Sequence, residues 1–555
     1  MNKKIFFYIF IILIIIGISF RFISLNKDFS AEETDFVNGA IAIANTGHPV
    51  FYNSELYPKM TFLHHPPTYI YLMSLFMTIS QSEISARIIN VIFSLLTAIL
   101  IFMFCKNIIG GDKGKNIGFI SVAFFLVNYY ILSSSILIDI DALSMFAAFG
   151  FIYFILRNYQ TQKNYYLVLA GIFLFFGIVN RYPIMILIYI FTGIYFFINM
   201  ELRKNFKGYI FVGFLSSLSF LIIWGIYSTL IESGNFFSFL IHNINLGGEQ
   251  FSSIKLYVGS FILNIAQFIR LLTFPAVILF ICAVFYFIKK KSKLSNLLLL
   301  YVLPVLIFFI IVPRPAFGYP RYFMTTFPGI SILIGTFIYL NLKNYEFEKK
   351  EFVFVIFIFL ISLIFLTLLN PQATIYNSKG LIKATNFPDF AFNLLSLIPL
   401  IFVFLFKEDR KKIFMLIFIG LVLSYSIYFD IKLVINNNHT KETGEYIKIN
   451  TNASEIIMAP KSIAYYAERK YHINANNKPK LDFSPQYIWK YIVKSLEDRT
   501  MTDEFFWPDG YYSGLYLPFP SEEELKKVSY VVLLHKVNNT EPERQIGDFY
   551  IYNVR

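Results

Sequence analysis

Charge is scarce in this chain. Only 15% of its 555 residues are Asp, Glu, Lys or Arg, where soluble domains carry about a quarter. That shortage, with 56% hydrophobic residues and a mean hydropathy of +0.59, excludes a disordered chain and a soluble multidomain protein of this length. Cysteine is nearly absent, with two residues, which excludes a disulfide scaffold. Cys105 and Cys282 fall inside apolar runs and read as packed thiols. No glycine-rich nucleotide fingerprint, internal repeat or low-complexity tract occurs. Acidic residues are the scarcer sign, 35 against 48 basic ones, a net charge of +13.

What is present is Phe (66), Tyr (38) and long Ile/Leu runs. A bilayer crossing needs about 20 apolar residues in a helix. Such runs fall at roughly 5–25, 85–105, 117–134, 142–157, 165–179, 183–200, 209–231, 258–288, 295–312, 322–341, 351–369, 390–406 and 413–435. The fold class expected is an all-α polytopic membrane protein with about 13 transmembrane helices in 1–435 and a small C-terminal α/β extracytoplasmic domain in 436–555. A first outer loop with interfacial helices spans 26–84.

The positive charge has a location. Short loops carry Lys3/Lys4, Lys106/Lys113/Lys115, Arg157/Lys163, Arg203/Lys204/Lys207, Lys289 to Lys293, Lys343/Lys349/Lys350 and Lys407 to Lys412. The positive-inside rule makes that face cytoplasmic. It puts the N-terminus inside and, after an odd number of spans, the C-terminus outside, in a plasma (cell) membrane. Topology thus accounts for the basic loops, and nucleic-acid binding is not expected. The near-neutral segment 436–555 alternates strand-like pieces (Glu455–Met458, Tyr530–Leu534, Phe549–Tyr552) with helix-like ones (Lys441–Ile449, Ser462–Arg469, Ser521–Lys527).

The outer loops hold the unusual residues. The first begins Asp28-Phe-Ser-Ala-Glu-Glu-Thr-Asp35. Ser30 with Glu33 three residues on forms a capping box. Phe36, Val37, Ala40, Ile41 and Ala44 then recur at helical spacing until Gly47 and Pro49, an amphipathic helix at the membrane surface. The acids complement the helix dipole on one reading and do chemistry on another; Glu32, not needed for the box, is the better candidate for chemistry. His64-His65-Pro66-Pro67 bars a helix before Thr68. The His pair suits a ligand phosphate or a metal, or is a plain interfacial turn. Asp139 and Asp141 flank Ile140 in a short outer turn, where solvation or function explains them. Arg87, Arg181, Arg314 and Arg321, the last followed by Tyr322, sit on the face that should be poor in positive charge. Lipid headgroups or a buried anion would account for them, and Arg suits phosphate.

Carboxylates and arginines at interface depth suggest a lipid-linked sugar phosphate as substrate. One carboxylate takes a proton from an acceptor hydroxyl as it attacks the anomeric carbon, and arginines stabilise the departing phosphate. A single displacement inverts the sugar centre.

The ordered set Glu32-Glu33-Thr-Asp35-Phe36, His65-Pro66-Pro67 with Tyr69/Tyr71, Ser85-Ala-Arg87, Asp139-Ile-Asp141-Ala-Leu, Asn180-Arg181-Tyr-Pro183 and Pro320-Arg321-Tyr322 with Pro328 resembles the GT-C membrane glycosyltransferases. The resemblance is to the branch of protein O-mannosyltransferases and the lipid A aminoarabinose transferase, over about residues 1–340. It implies the GT-C fold and a polyprenyl-phosphate sugar donor, with a protein, lipid or glycan acceptor. It implies catalytic roles among Glu32, Asp141, Asp139 and Glu33. Substrate or phosphate binding would fall to Arg87, Arg181, Arg314, Arg321, Tyr322, His64 and His65. Metal use varies across the family, which leaves a divalent ion open, with Glu32, Asp139, Asp141 and His65 as ligands if there is one. The chain departs from the family in carrying Glu32 where Asp is usual and Arg181 where Lys is usual. Either of Asp139 and Asp141 aligns with the family's second-loop Asp. The Trp-Trp-Asp motif of oligosaccharyltransferases is absent, which disfavours transfer of a whole glycan to Asn. A transporter or flippase of a lipid-linked sugar, and a non-catalytic assembly protein, are the competing readings. The first lacks the paired repeats many transporters show, and the second leaves the Glu/Asp/Arg set without a task.

Overall fold

A computed structural model describes residues 3–51, 60–61, 68–198, 206–232, parts of 261–272, 274–290, 293–311, 321–342, 408–435, 439–471, 525–533 and 541–554 (548 excepted), with short pieces at 375–376, 382–383 and 398–399. The expected spans at 351–369 and 390–406 fall almost wholly outside these residues.

Helices dominate, because in hydrocarbon every backbone polar group needs an internal partner. In chain order they are α1 (Lys3–Ile23), α2 (Ala31–Thr46), α3 (Thr68–Met77), α4 (Glu83–Phe104), α5 (Gly111–Leu126), α6 (Tyr129–Ile136), α7 (Asp141–Thr161), α8 (Asn164–Ile198), α9 (Phe206–Glu232), α10 (Phe274–Lys290), α11 (Lys293–Ile311), α12 (Phe327–Leu342), α13 (Glu408–Ile435), α14 (Thr440–Asn450) and α15 (Lys461–Ala467). Among the described residues five helices are long and apolar enough to cross a membrane, or six if a bent pair is one span. Shorter apolar helices at 183–198, 276–289, 298–311, 327–342 and 415–428 fall on other expected spans.

One expected span differs in form, and two others meet in a single broken helix. The run at 117–134 is not one straight helix: α5 and α6 meet at a 67° bend. Asn128 makes the break, its side chain accepting from Tyr130 N (3.1 Å) and Ile131 N (3.2 Å) to start α6 afresh. The runs at 165–179 and 183–200 are the two arms of α8. Arg181 has φ −149° and ψ 66° at their junction, two residues before Pro183, where the ring removes a helical donor and restricts the residue before it. Met185 lies against Gly177, so the arms fold back on each other.

The first loop forms as its residues require. Ser30 and Glu33 make the capping box, and Gly47 ends α2 at φ 79°. Helix α3 starts at Thr68, directly after the two prolines. Both helices pack through Phe36, Val37, Ala40, Tyr69 and Met73 onto Ile138, Ile140 and Leu143. A two-stranded ladder joins β1 (Val50–Phe51) to β2 (Met60–Thr61), and another joins β3 (Ile375–Tyr376) to β4 (Ile382–Lys383).

The C-terminal strands β5 (Ile456–Met458), β6 (Lys470–Tyr471), β7 (Tyr530–Leu533), β8 (Arg544–Ile546) and β9 (Phe549–Asn553) form one sheet in the order β6-β5-β7-β9-β8. The β6-β5-β7 pairs are parallel, and β7-β9 and β9-β8 are antiparallel. Helices α14 and α15 cover one face, through Ile447, Ile463 and Ala464 against Ile457, Val532 and Ile551. Three expected strands and two expected helices are here. The expected helix at 521–527 begins outside the described residues.

Candidate functional site

The site is built at the end of the bundle where α1 ends, α2 and α4 begin, α6 passes into α7 and α8 turns. Glu33 and Arg87 form its foundation. Arg87 Nε and Nη2 donate to Glu33 Oε1 at 3.1 and 3.0 Å, and Nη2 also reaches Oε2 at 3.0 Å. Arg87 further donates to the carbonyls of Leu25, Lys27 and Asp28. Its guanidinium lies 5.0 Å from the Phe29 ring centre. Glu33 in turn accepts from Ser30 N at 2.7 Å and Ile138 N at 3.0 Å. Both side chains are buried and their hydrogen-bonding positions are taken up by each other and by backbone. This pair ties the first loop to α4 and to the turn that carries Asp139.

That turn is held from the other side by Asn90, whose side chain donates to the carbonyls of Leu137 and Asp139. Asp139 Oδ1 accepts from Ile140 N at 2.6 Å. Asp141 opens α7, buried, and Oδ1 is ion-paired with Arg181. Its Oδ2 has no hydrogen-bond partner among the described residues. Arg181 reaches Asp141 because the α8 break turns it inward. Its guanidinium also lies 5.1 Å from the Tyr322 ring centre, a cation–π contact. Asn180, next in chain, donates to Ile140 O (2.9 Å) and Ser144 Oγ (2.8 Å), fixing the turn against α7.

Of the expected site residues, Glu33, Arg87, Asp139, Asp141, Arg181 and Tyr322 are thus brought to one end of the bundle. Glu32 and Arg321 are placed by backbone, in the first turn of α2 and at the start of the Arg321–Met324 turn, and their side chains are outside the description. His64, His65 and Arg314 lie outside the described residues. No group of three or more His, Cys, Asp or Glu side chains converges to hold a metal among the described residues.

Sequence reasoning missed Lys27. It lies half-buried beside Arg87, Asp28 and Glu33, and burial first, then the Arg87 charge, push its ammonium down to about 8. It also missed how the C-terminal sheet unit docks on the first loop. Lys441 Nζ is 3.0 Å from Glu83 Oε1, and Lys441 N donates to Asp28 Oδ2 at 2.9 Å. The Glu83 hydrogen bond holds the Lys441 ammonium above its ordinary value. Lys461 Nζ is 2.9 Å from Asp35 Oδ2. Tyr466 bridges Glu83 Oε1 (3.1 Å) and Phe29 N (2.9 Å), stacks on Phe29, and has its hydroxyl pushed up by burial.

Apolar helices folded back on one another, the α5–α6 bend, an acidic first loop and an Asp–Arg pair at one end are the features of a helical protein with several helices long and apolar enough to cross a membrane. The comparisons with known proteins agree. Residues 64–226 match the family described as dolichyl-phosphate-mannose-protein mannosyltransferase. The fold is similar to crystal structures of ArnT from Cupriavidus metallidurans. For ArnT bound to undecaprenyl phosphate the TM-score is 0.59 at 11% identity, covering 84% of this chain and 86% of that one. For its apo state the TM-score is 0.54 at 11% identity, with the same coverage. The Archaeoglobus fulgidus oligosaccharyltransferase in the apo form aligns more loosely, with a TM-score of 0.45 at 11% identity over 96% of this chain and 70% of that one. No curated protein matches at a significant level. The resemblance to the GT-C superfamily read from the motifs therefore holds.

Proposed function

We propose that the protein is an inverting glycosyltransferase that moves a sugar from a polyprenyl-phosphate donor to an acceptor hydroxyl on the outer face of the cell membrane. The observation that carries this reading is the Asp141–Arg181 pair under Tyr322, one turn from the segment that Glu33 holds. A buried ion pair at membrane depth is costly to keep and marks a working site. The Asp141 Oδ2, buried without a donor among the described residues, is an acceptor that a substrate hydroxyl would satisfy.

Each group takes one role. The carboxylate of Glu32 receives the proton of the acceptor hydroxyl. That oxygen bonds to the anomeric carbon as the bond from this carbon to the phosphate oxygen breaks. Both electrons of the broken bond leave with the polyprenyl phosphate, and the centre inverts. Arg181, held by Asp141, and Arg321 stabilise the negative charge on the leaving phosphate. Asp139 and Tyr322 shape the pocket around them. Glu33 and Arg87 hold the first loop in place for Glu32. His64, His65 and Arg314 complete the donor side. The N-terminus and the basic loops are cytoplasmic, and residues 436–555 lie outside.

The test is incubation of the purified protein with a panel of polyprenyl-phosphate sugars. Donor consumption with release of polyprenyl phosphate is the expected result. Movement of intact donor across a vesicle membrane without cleavage would establish the flippase instead.

A further inference from the structure

A further charged group lies away from the site, inside the membrane-spanning helices. Arg21 is in the last turn of α1 and is fully buried. Charges at this depth are rare and face the protein interior.

Arg21 spends its hydrogen bonds on the α5–α6 bend and on the helices beside it. Nη1 donates to Leu126 O at 2.8 Å, at the open end of α5, and to Gly17 O at 2.7 Å. Nε donates to Ser94 Oγ at 3.1 Å on α4 and to Ser135 Oγ at 3.2 Å on α6. Ser135 Oγ also donates to Ser94 Oγ at 2.8 Å. A broken helix leaves carbonyls that hydrocarbon cannot satisfy, and Arg21 satisfies one of them while gripping α6. Helix α6 ends at Ile136, three residues before Asp139 and five before Asp141. The other end of that turn is pinned by Glu33 and Asn90.

We propose that Arg21 acts as an intramembrane clasp that fixes α6 against α1, α4 and α5, and so sets the position of the Asp139–Asp141 turn. Arg21 is then a positioning residue for the transfer step, a role that rests on the glycosyltransferase reading above.

The test uses the full chain with Arg21→Met, Arg21→Lys and Ser135→Ala. Ser135→Ala removes only the grip on α6 and is the variant that keeps the test open if the charge changes fail to fold. Hydrogen exchange over residues 127–141 should rise at least about tenfold in Arg21→Met and in Ser135→Ala, the scale of one lost charge-assisted hydrogen bond. With the polyprenyl-phosphate sugar that the wild type consumes, kcat should fall roughly 10- to 100-fold while the donor KM stays within about twofold, as for a misplaced but intact site. Arg21→Lys should recover part of the kcat that Arg21→Met loses. Unchanged exchange over 127–141 overturns the clasp. A fall in kcat matched by an equal rise in KM overturns the positioning role. If the wild type consumes no donor, the glycosyltransferase reading fails, and the exchange data alone still decide the clasp.

Discussion

Lys461 Nζ sits 2.9 Å from Asp35 Oδ2, so a helix of the C-terminal sheet unit is tied to the first turns of α2, 426 positions earlier in the chain. Both groups are partly exposed, and a pair of that kind is worth about 1 kcal/mol or less. Lys461→Met alone should leave thermal stability nearly unchanged. Combined with Lys441→Met, it should loosen the docking, read as faster proteolysis between residues 435 and 440 in folded protein. Equal cleavage of the double variant and the wild type would show that the two lysines do not hold the unit.

The Glu33–Arg87 pair behaves differently, because both partners are buried. Removing one leaves an uncompensated charge and its desolvation cost. Glu33→Gln or Arg87→Met should each destabilise the protein by about 3–5 kcal/mol. Glu33→Leu with Arg87→Met should cost clearly less than the sum of the single changes. Additive losses in a double-mutant cycle would contradict the coupling.

Asp141→Asn keeps the size of the side chain and removes the charge that orients Arg181. Transfer should fall about 100-fold or more, as should Glu32→Gln, the usual scale for a lost acid or base. The two can be separated by donor binding, which Asp141→Asn should weaken and Glu32→Gln should leave intact. A folded Glu32→Gln protein with near-normal turnover would remove Glu32 from the mechanism.

Arg321→Ala should raise the donor KM with a smaller effect on kcat. Titration of the purified variant with undecaprenyl phosphate checks it. Wild-type affinity for that lipid would take Arg321 off the phosphate.

Lys27 supplies the pH dependence. Its folded value, about 8, is below the ordinary lysine value of 10.5. The ammonium is therefore charged at pH 7 and is lost as pH rises through 8. Between about 8 and 10.5 the unfolded chain holds that proton more tightly, so raising the pH across this window favours the folded state. Donor affinity should go the other way, falling between pH 7 and 9 as the cation beside the site disappears. Lys27→Met should flatten that fall; an identical profile in the variant would place the titration on another group.

Much of the first loop was legible because its signals are local. Ser30 and Glu33 mark the start of α2, Gly47 its end, and Pro66-Pro67 the start of α3. The α5–α6 bend was not legible, since neither Pro nor Gly interrupts the apolar run from Phe119 to Ile138 and only Asn128 marks the break. The strands β6 and β8, of two and three residues, are too short to show an alternating pattern. At the site, the residue types were visible and their pairing was not. Arg87 stood out as a positive charge on the wrong face, but its partner is 54 positions away. Arg21 was absorbed into the apolar run 5–25, because hydropathy averages over a charge whose partners lie 73 to 114 positions off.

The docking of Lys441 on Asp28 spans 413 positions, and this orders events during biosynthesis. A ribosome adding roughly 5–20 residues per second needs on the order of 20–80 s to travel from one to the other. For that interval Asp28, Asp35 and Glu83 stand in the nascent chain without the lysines that later meet them. The contacts of the first loop are completed only when residues 441 and 461 arrive. A chain truncated between residues 182 and 440 would carry both Asp141 and Arg181 and still lack the lysines that fasten its first loop.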